Sequence, residues 1–154
     1  MTRKPPYLDK FYPEIYKSLT QVSSKLSMLY PDVDLPRSLI ELVAVRVSQI
    51  NGCGTCLSIH MPAARKAGIP DNKLDALPAW RMVSEFTEKE RAALELAETL
   101  TLLPPGQDNS RAALPACEIF AEEQVAALEW SIVMINAFNR VSIASGHPLL
   151  SRKK

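Results

Sequence analysis

Pro36–Gly68 reads PRSLIELVAVRVSQINGCGTCLSIHMPAARKAG, and two helices joined at a break can be read from it. Pro36 to Ile50 is a dense apolar run without the alternation of a strand, and Asn51-Gly52 supplies a helix stop. A following helix is expected from Gly54 to Gly68, just before Ile69-Pro70. The break between Asn51 and Gly54 lets the two helices fold back on each other.

The same periodicity extends outward. Ile15, Leu19, Val22, Leu26 and Leu29 recur at helical spacing, with Pro13 suited to a first turn and Pro31 expected to end the helix. A short helix is expected over Asp71–Leu77. Thr87-Glu88-Lys89-Glu90 has the form of a capping box and opens a helix to about Leu103. Pro104-Pro105-Gly106 is a loop. A short helix near Leu114–Phe120 precedes a long one, Glu122–Ser145, closed by Gly146 and Pro148. The expectation is an all-α, single-domain bundle of about six to seven helices spanning residues 1–154, with its core at about 10–147.

Composition narrows the class of function. Of the 154 residues 47% are hydrophobic and 23% charged, which excludes a disordered chain. Lys and Arg number 18 against 17 Asp and Glu, so no field of one sign is available to hold nucleic acid or an anionic membrane. Met1–Lys10 is polar, without the apolar core of a secretory signal. The longest uncharged run, Val47–Ala64, is broken by Gln49, Asn51, Gly52, Gly54, Ser58, His60 and Pro62 and does not read as a membrane span. A cytoplasmic location is expected. Three cysteines are too few for a stapled fold, and Cys53 and Cys56 lie close together, which in a reducing compartment points to redox chemistry or metal. Cys117 reads as a small core residue, and Arg152-Lys153-Lys154 as a solvated tail.

Glu41, Cys53, Cys56 and His60 form the constellation able to carry chemistry. On a helix Cys53 and Cys56 share a face, and His60 is one turn beyond Cys56, about 6 Å along the axis. Both cysteines sit at the cap and first turn, where the positive end of the helix dipole favours thiolate. Glu41 is flanked by apolar residues on both sides. If it is buried, its pKa should rise, which would suit a proton carrier. An antiparallel helix pair would bring Glu41 and His60 near each other.

The spacing Glu41, eleven residues, Cys53-x-x-Cys56, three residues, His60 resembles the signature of the alkylhydroperoxidase D-like group of the carboxymuconolactone decarboxylase-like superfamily. Ala63–Gly68, Ala79-Trp80-Arg81, Phe86–Leu94 and Asn136–Arg140 also look like family positions, so the resemblance covers about residues 10–147. It implies an all-α homo-oligomer (dimer, trimer or hexamer) that reduces organic hydroperoxides. Cys56 would be the peroxidatic thiol and Cys53 the resolving one. His60 and Glu41 would relay the proton. His60, one turn from Cys56 and two from Cys53, agrees with that assignment. No flavin or nicotinamide motif is present, so no bound cofactor is expected. Electrons would come from an external dithiol protein, lipoyl or thioredoxin-like.

Two positions depart from the pattern. Thr55 stands where alkylhydroperoxidase D carries a second His, and Pro62 is expected to kink the helix just after His60. Asn136, Asn139 and Arg140 are expected to brace the fold near the site. The alternatives are a zinc site built from Cys53, Cys56 and His60 with Cys117 or Glu41, a carboxymuconolactone-type decarboxylase, which would not need the cysteine pair, and a disulfide reductase or redox sensor on the same fold. Apolar faces on most helices, and few charges over residues 123–151, add a physical reason to expect self-association.

Overall fold

The computed structural model describes residues 4–151, so the first three residues of the polar Met1–Lys10 segment and the Arg152-Lys153-Lys154 tail lie outside the described residues. The described residues form eight α-helices and two 3₁₀ turns, with no strand among them. The helices are α1 (Leu8–Phe11), α2 (Pro13–Asp32), α3 (Arg37–Asn51), α4 (Gly54–Lys66), α5 (Asp71–Ala76), α6 (Glu88–Leu102), α7 (Leu114–Cys117) and α8 (Glu122–Ser145). The 3₁₀ turns are Leu77–Met82 and Asn109–Arg111.

α3 is the central element and packs against α4, α6 and α8. It is apolar around nearly its whole circumference, the condition under which a helix is buried on every side. Leu39, Ile40, Val43, Ala44 and Val47 form one stripe. They pack into a core with Leu26 of α2, Ala93 and Leu96 of α6, and Leu128 and Ile132 of α8. Leu42 and Val45 face the other way, into a second core with Ala64, Leu74, Leu77, Trp80, Phe86 and Leu94. α3 thus separates two hydrophobic cores, and any polar group on it is held in an apolar interior.

The termini follow local chemistry. The Glu90 N–H donates to Thr87 Oγ1 at 3.2 Å and the Thr87 N–H donates to Glu90 Oε2 at 2.8 Å, completing the expected capping box of α6. α8 covers its expected range and closes at Gly146. Pro31 does not end α2, which continues to Asp32. A proline near the last turn removes one hydrogen bond, and its fixed φ is still helical. The one-turn α1 and the 3₁₀ turn at Leu77–Met82 are additional to the expected helices. Only Leu26 of the periodic α2 residues is buried, whereas Ile15, Val22 and Leu29 remain exposed, so α2 lies across an edge of the bundle. No helix among the described residues is long and apolar enough to cross a membrane.

A buried carboxylate, Glu98 of α6, joins three elements. It accepts from Arg46 Nε of α3 at 2.7 Å, Trp80 Nε1 at 2.9 Å and Arg81 at 2.5 Å. Burial pushes its pKa up, but the hydrogen bonds from Trp80, Arg81 and Arg46 and the Arg46 charge outweigh that and leave it below the ordinary value. The unfolded chain therefore binds this proton more tightly than the native one. The stabilisation is present above an unfolded pKa of about 4.3 and disappears as pH falls through the lower native value. Denaturant titrations should show unfolding free energy falling with acidification below that point, with a shallower fall in Glu98→Gln. Equal slopes for the two proteins would contradict this role of Glu98.

Candidate active site

The turn between α3 and α4 sets the site. Gly52 has φ +67°, in the left-handed region that a side chain disfavours. Its N–H donates to the Gln49 carbonyl at 3.2 Å, and the Cys53 N–H donates to the Ser48 carbonyl at 3.0 Å. These bonds cap α3 and reverse the chain within two residues. Cys53 is then the N-cap of α4, and the Cys56 N–H donates to its sulfur at 3.3 Å. A backbone donor at a helix N-terminus favours a thiolate on Cys53 when the pair is reduced. Cys53 and Cys56 are joined as a disulfide, with their Cα atoms 5.3 Å apart.

The reversal places α4 along α3 and brings His60 to Glu41. Glu41 is 1% exposed. Its Oε2 lies 2.8 Å from His60 Nδ1, and its Oε1 lies 2.5 Å from the guanidinium of Arg37 one turn earlier on α3. Burial pushes the carboxyl up. The hydrogen bond and charge of His60, followed by the Arg37 charge and hydrogen bond, hold it below its ordinary value. The pKa rise expected from the sequence is therefore reversed. Burial alone would raise the pKa, but Arg37, at i, i+4 spacing to Glu41 and so readable from the sequence, adds an opposing charge. Glu41 is an ionised anchor. A carboxylate at Nδ1 fixes the imidazole with Nδ1–H toward Glu41, and in the neutral ring Nε2 is then an acceptor.

Glu41, His60 and Cys56 line one cavity of about 380 Å³ between α2, α3, α4 and α8. Its walls are mixed. Ile40, Ile59, Met134 and Phe138 supply apolar surface, and Thr20, Ser24, Tyr30 and Ser131 supply hydroxyls. Burial pushes the Tyr30 phenol up, so it remains a neutral hydrogen-bonding group. Such a cavity can receive a small amphipathic organic molecule beside a sulfur and an imidazole. Cys53 does not line it. That residue borders a separate hollow of about 270 Å³, with Gly52, Gly54, Gly146, His147 and Leu149. The two residues of one disulfide thus border different cavities.

The supporting groups come from α8. Asn51 Nδ2 donates to Asn136 Oδ1 and to Asn139 Oδ1, each at 2.9 Å, and Asn139 Nδ2 donates to Ser48 Oγ at 3.1 Å. Arg140 donates to Asn136 Oδ1 at 2.8 Å. These residues hold the end of α3 just before the cysteines, which is the bracing expected of Asn136, Asn139 and Arg140. α4 runs unbroken past Pro62 to Lys66 with the His60–Glu41 contact made. Cys117 is exposed rather than in the core, because it ends the one-turn α7 on its outer side while Ala116 faces inward. No three His, Cys, Asp or Glu side chains among the described residues are arranged to hold a metal ion, so the zinc alternative finds no cluster there. The contact of Thr55 has no local signal in the sequence. Its hydroxyl is 2.8 Å from the His147 carbonyl oxygen and 3.1 Å from that of Pro148, more than ninety residues away.

The chain is similar to known proteins in sequence and in fold. A Bacillus subtilis (strain 168) protein, the uncharacterized YdfG, is 38% identical over 116 residues, covering 75% of this chain and 79% of the relative. An Agrobacterium tumefaciens protein of unknown function, ATU0492, provisionally described as the antioxidant defence protein AhpD, superposes with a TM-score of 0.84. It is 24% identical and covers 97% of this chain and 100% of its own. An uncharacterized peroxidase-related protein from Silicibacter sp. TM1040 shares the fold at a TM-score of 0.71 and 21% identity, over 84% of this chain and 67% of its own. The carboxymuconolactone decarboxylase family model matches residues 13–99, which include Glu41, both cysteines of the disulfide and His60, and the chain belongs to that family.

Proposed function

We propose that the protein is a thiol-dependent peroxidase that reduces organic hydroperoxides. The observation that carries this reading is Cys56, half of a disulfide, sharing one cavity with a His60 ring fixed by a buried carboxylate. In the reduced protein His60 Nε2, through a water, takes the Cys56 proton. The thiolate attacks the terminal oxygen of the hydroperoxide and breaks the O–O bond. Cys56 becomes a sulfenic acid, and the leaving alkoxide takes the proton back from His60 and departs as alcohol. Glu41 keeps the ring oriented and stabilises its charged form.

Cys53 then attacks the Cys56 sulfenic sulfur, forming the disulfide and releasing water. The N-cap hydrogen bond at Cys53 supports this role, since it favours the thiolate needed for attack. An external dithiol protein supplies two electrons to reopen the disulfide. The agreement with ATU0492 and the Silicibacter protein is one of fold. The family also contains decarboxylases, and the disulfide beside His60 favours redox chemistry for this member.

We also propose that the chain works as a homo-oligomer in the cytoplasm. Ile15 and Leu29 on α2, and Trp130 and Val133 on α8, are large apolar side chains left exposed, in patches of the kind that partner copies cover.

Hydroperoxide consumption coupled to dithiothreitol tests the activity. Cys56→Ser should abolish turnover. In the absence of dithiothreitol, reduced Cys53→Ser should consume about one equivalent and then stall as the sulfenic acid persists. Glu41→Gln should fold and lower the rate by about 10²-fold or more, the usual scale for lost proton-transfer assistance. Full turnover by Cys56→Ser would overturn the peroxidase reading, and turnover of a lactone acid after both thiols are alkylated would replace it with decarboxylation. Light scattering at micromolar concentration should give a mass that is a multiple of 17.1 kDa, whereas a lone 17.1 kDa species would refute self-association.

A further inference from the structure

Residues 147–151 leave α8 at Gly146 and cross the start of α4 as a strap without regular secondary structure. The attachment is specific. Thr55, the residue between Gly54 and Cys56, donates its hydroxyl to the His147 carbonyl at 2.8 Å, with the Pro148 carbonyl 3.1 Å from the same oxygen. The Leu150 N–H donates to Ser58 Oγ at 3.1 Å, one turn further along α4. Leu149 Cδ2 lies 3.0 Å from the point where a Cβ on Gly54 would stand, so the strap rests directly on the backbone beside Cys53. At its near end His147 Nε2 meets Asp9 Oδ1 at 3.1 Å, tying the strap to α1.

The strap forms one wall of the hollow that Cys53 borders. Cys53 is 2% exposed and Cys56 3%, so neither sulfur is open to a reductant as the structure stands. A thiolate attacks a disulfide sulfur from the side opposite the sulfur that leaves, so access decides which sulfur is attacked. Attack on Cys56 would have to come through the cavity that also holds Glu41 and His60. Attack on Cys53 would have to come through the hollow that this residue borders beneath the strap.

We propose that the external thiol enters under this strap and attacks Cys53, and that the Thr55 and Ser58 attachments set the size of reductant admitted. This rests on Cys53–Cys56 being the working redox pair. The steps balance. The reductant thiolate bonds to Cys53 Sγ, the Cys53–Cys56 bond breaks, and Cys56 leaves as thiolate into the cavity it shares with His60. The second thiol of the reductant then closes its own disulfide and releases Cys53. Two electrons pass from the dithiol to the protein. Hydroperoxide and reductant thus approach the same pair from opposite sides. Thr55 anchors the strap through its hydroxyl.

The test separates the strap from peroxidase activity by forming the disulfide with diamide and following its reduction alone. Dithiothreitol serves as the slender reductant and reduced thioredoxin as the bulky one. Thr55→Val removes the donor and keeps the shape, and Ser58→Ala releases the far end. Loss of an attachment worth one hydrogen bond should speed reduction by thioredoxin on the order of fivefold, with a smaller gain for dithiothreitol. The rate at which hydroperoxide oxidises the dithiol should stay unchanged in both variants. Ser58→Ala alone decides the matter if Thr55→Val does not fold. Unchanged reduction rates in the folded variants, or an equal gain with both reductants, would overturn the proposal. Absence of hydroperoxide turnover in the unaltered protein would overturn the peroxidase reading and leave this measurement valid.

Discussion

Glu41 is a carboxylate on a helix with apolar cores on two sides, and the rest of the site depends on how its charge is balanced. A lone buried carboxylate would cost several kcal/mol or take up a proton. Here both oxygens are matched, one by Arg37 on the same helix and one by His60 on the next. The His60 contact requires α4 to run back along α3, which requires the left-handed turn at Gly52. The same turn puts Cys53 at the cap of α4 and Cys56 in its first turn. Backbone geometry, charge balance and placement of the sulfurs are therefore one constraint. Removing His60 would break a buried pair as well as a proposed proton path, so its loss would be felt in folding and in chemistry together.

The helical framework was legible because its signals are local. The Thr87–Glu90 capping box, the Asn51-Gly52 stop and the long periodic run closed by Gly146 each depend on a few neighbouring residues. The grouping of Glu41, Cys56 and His60 was legible for the same reason, since one turn and two helices bring them together. Pro31, expected to end α2, is instead accommodated in the final turn, where a proline costs one hydrogen bond and keeps a helical φ. The apolar spacing of α2 implied a buried stripe, yet periodicity alone does not say whether another element of the same chain covers it. Cys117 misled because a cysteine without company reads as core, whereas the shortness of α7 lets only Ala116 face inward.

What the sequence concealed is mainly long-range. The Thr55 contact with residues 147 and 148 joins segments with no shared pattern, so in the sequence Thr55 is visible only as a departure from the alkylhydroperoxidase D pattern. The hub at Glu98 likewise joins α6 to Arg46 of α3 and to Trp80 and Arg81 of the 3₁₀ turn. Arg37 is different, since its spacing to Glu41 was visible and its effect reverses the direction of the Glu41 pKa. In the proposed mechanism an ionised anchor orients His60 and leaves proton movement to the imidazole, a different division of labour from a carboxyl that carries the proton itself.

The central claim is that Cys53 and Cys56 are a redox pair answering to hydroperoxide. Intact mass after maleimide blocking, on fully reduced protein with and without one equivalent of an organic hydroperoxide, tests it most directly. With hydroperoxide, two of the three cysteines should escape labelling and the protein should lose about two mass units, the hydrogens given up in forming the disulfide, with dithiothreitol restoring both. Three reactive thiols after hydroperoxide treatment would contradict the account.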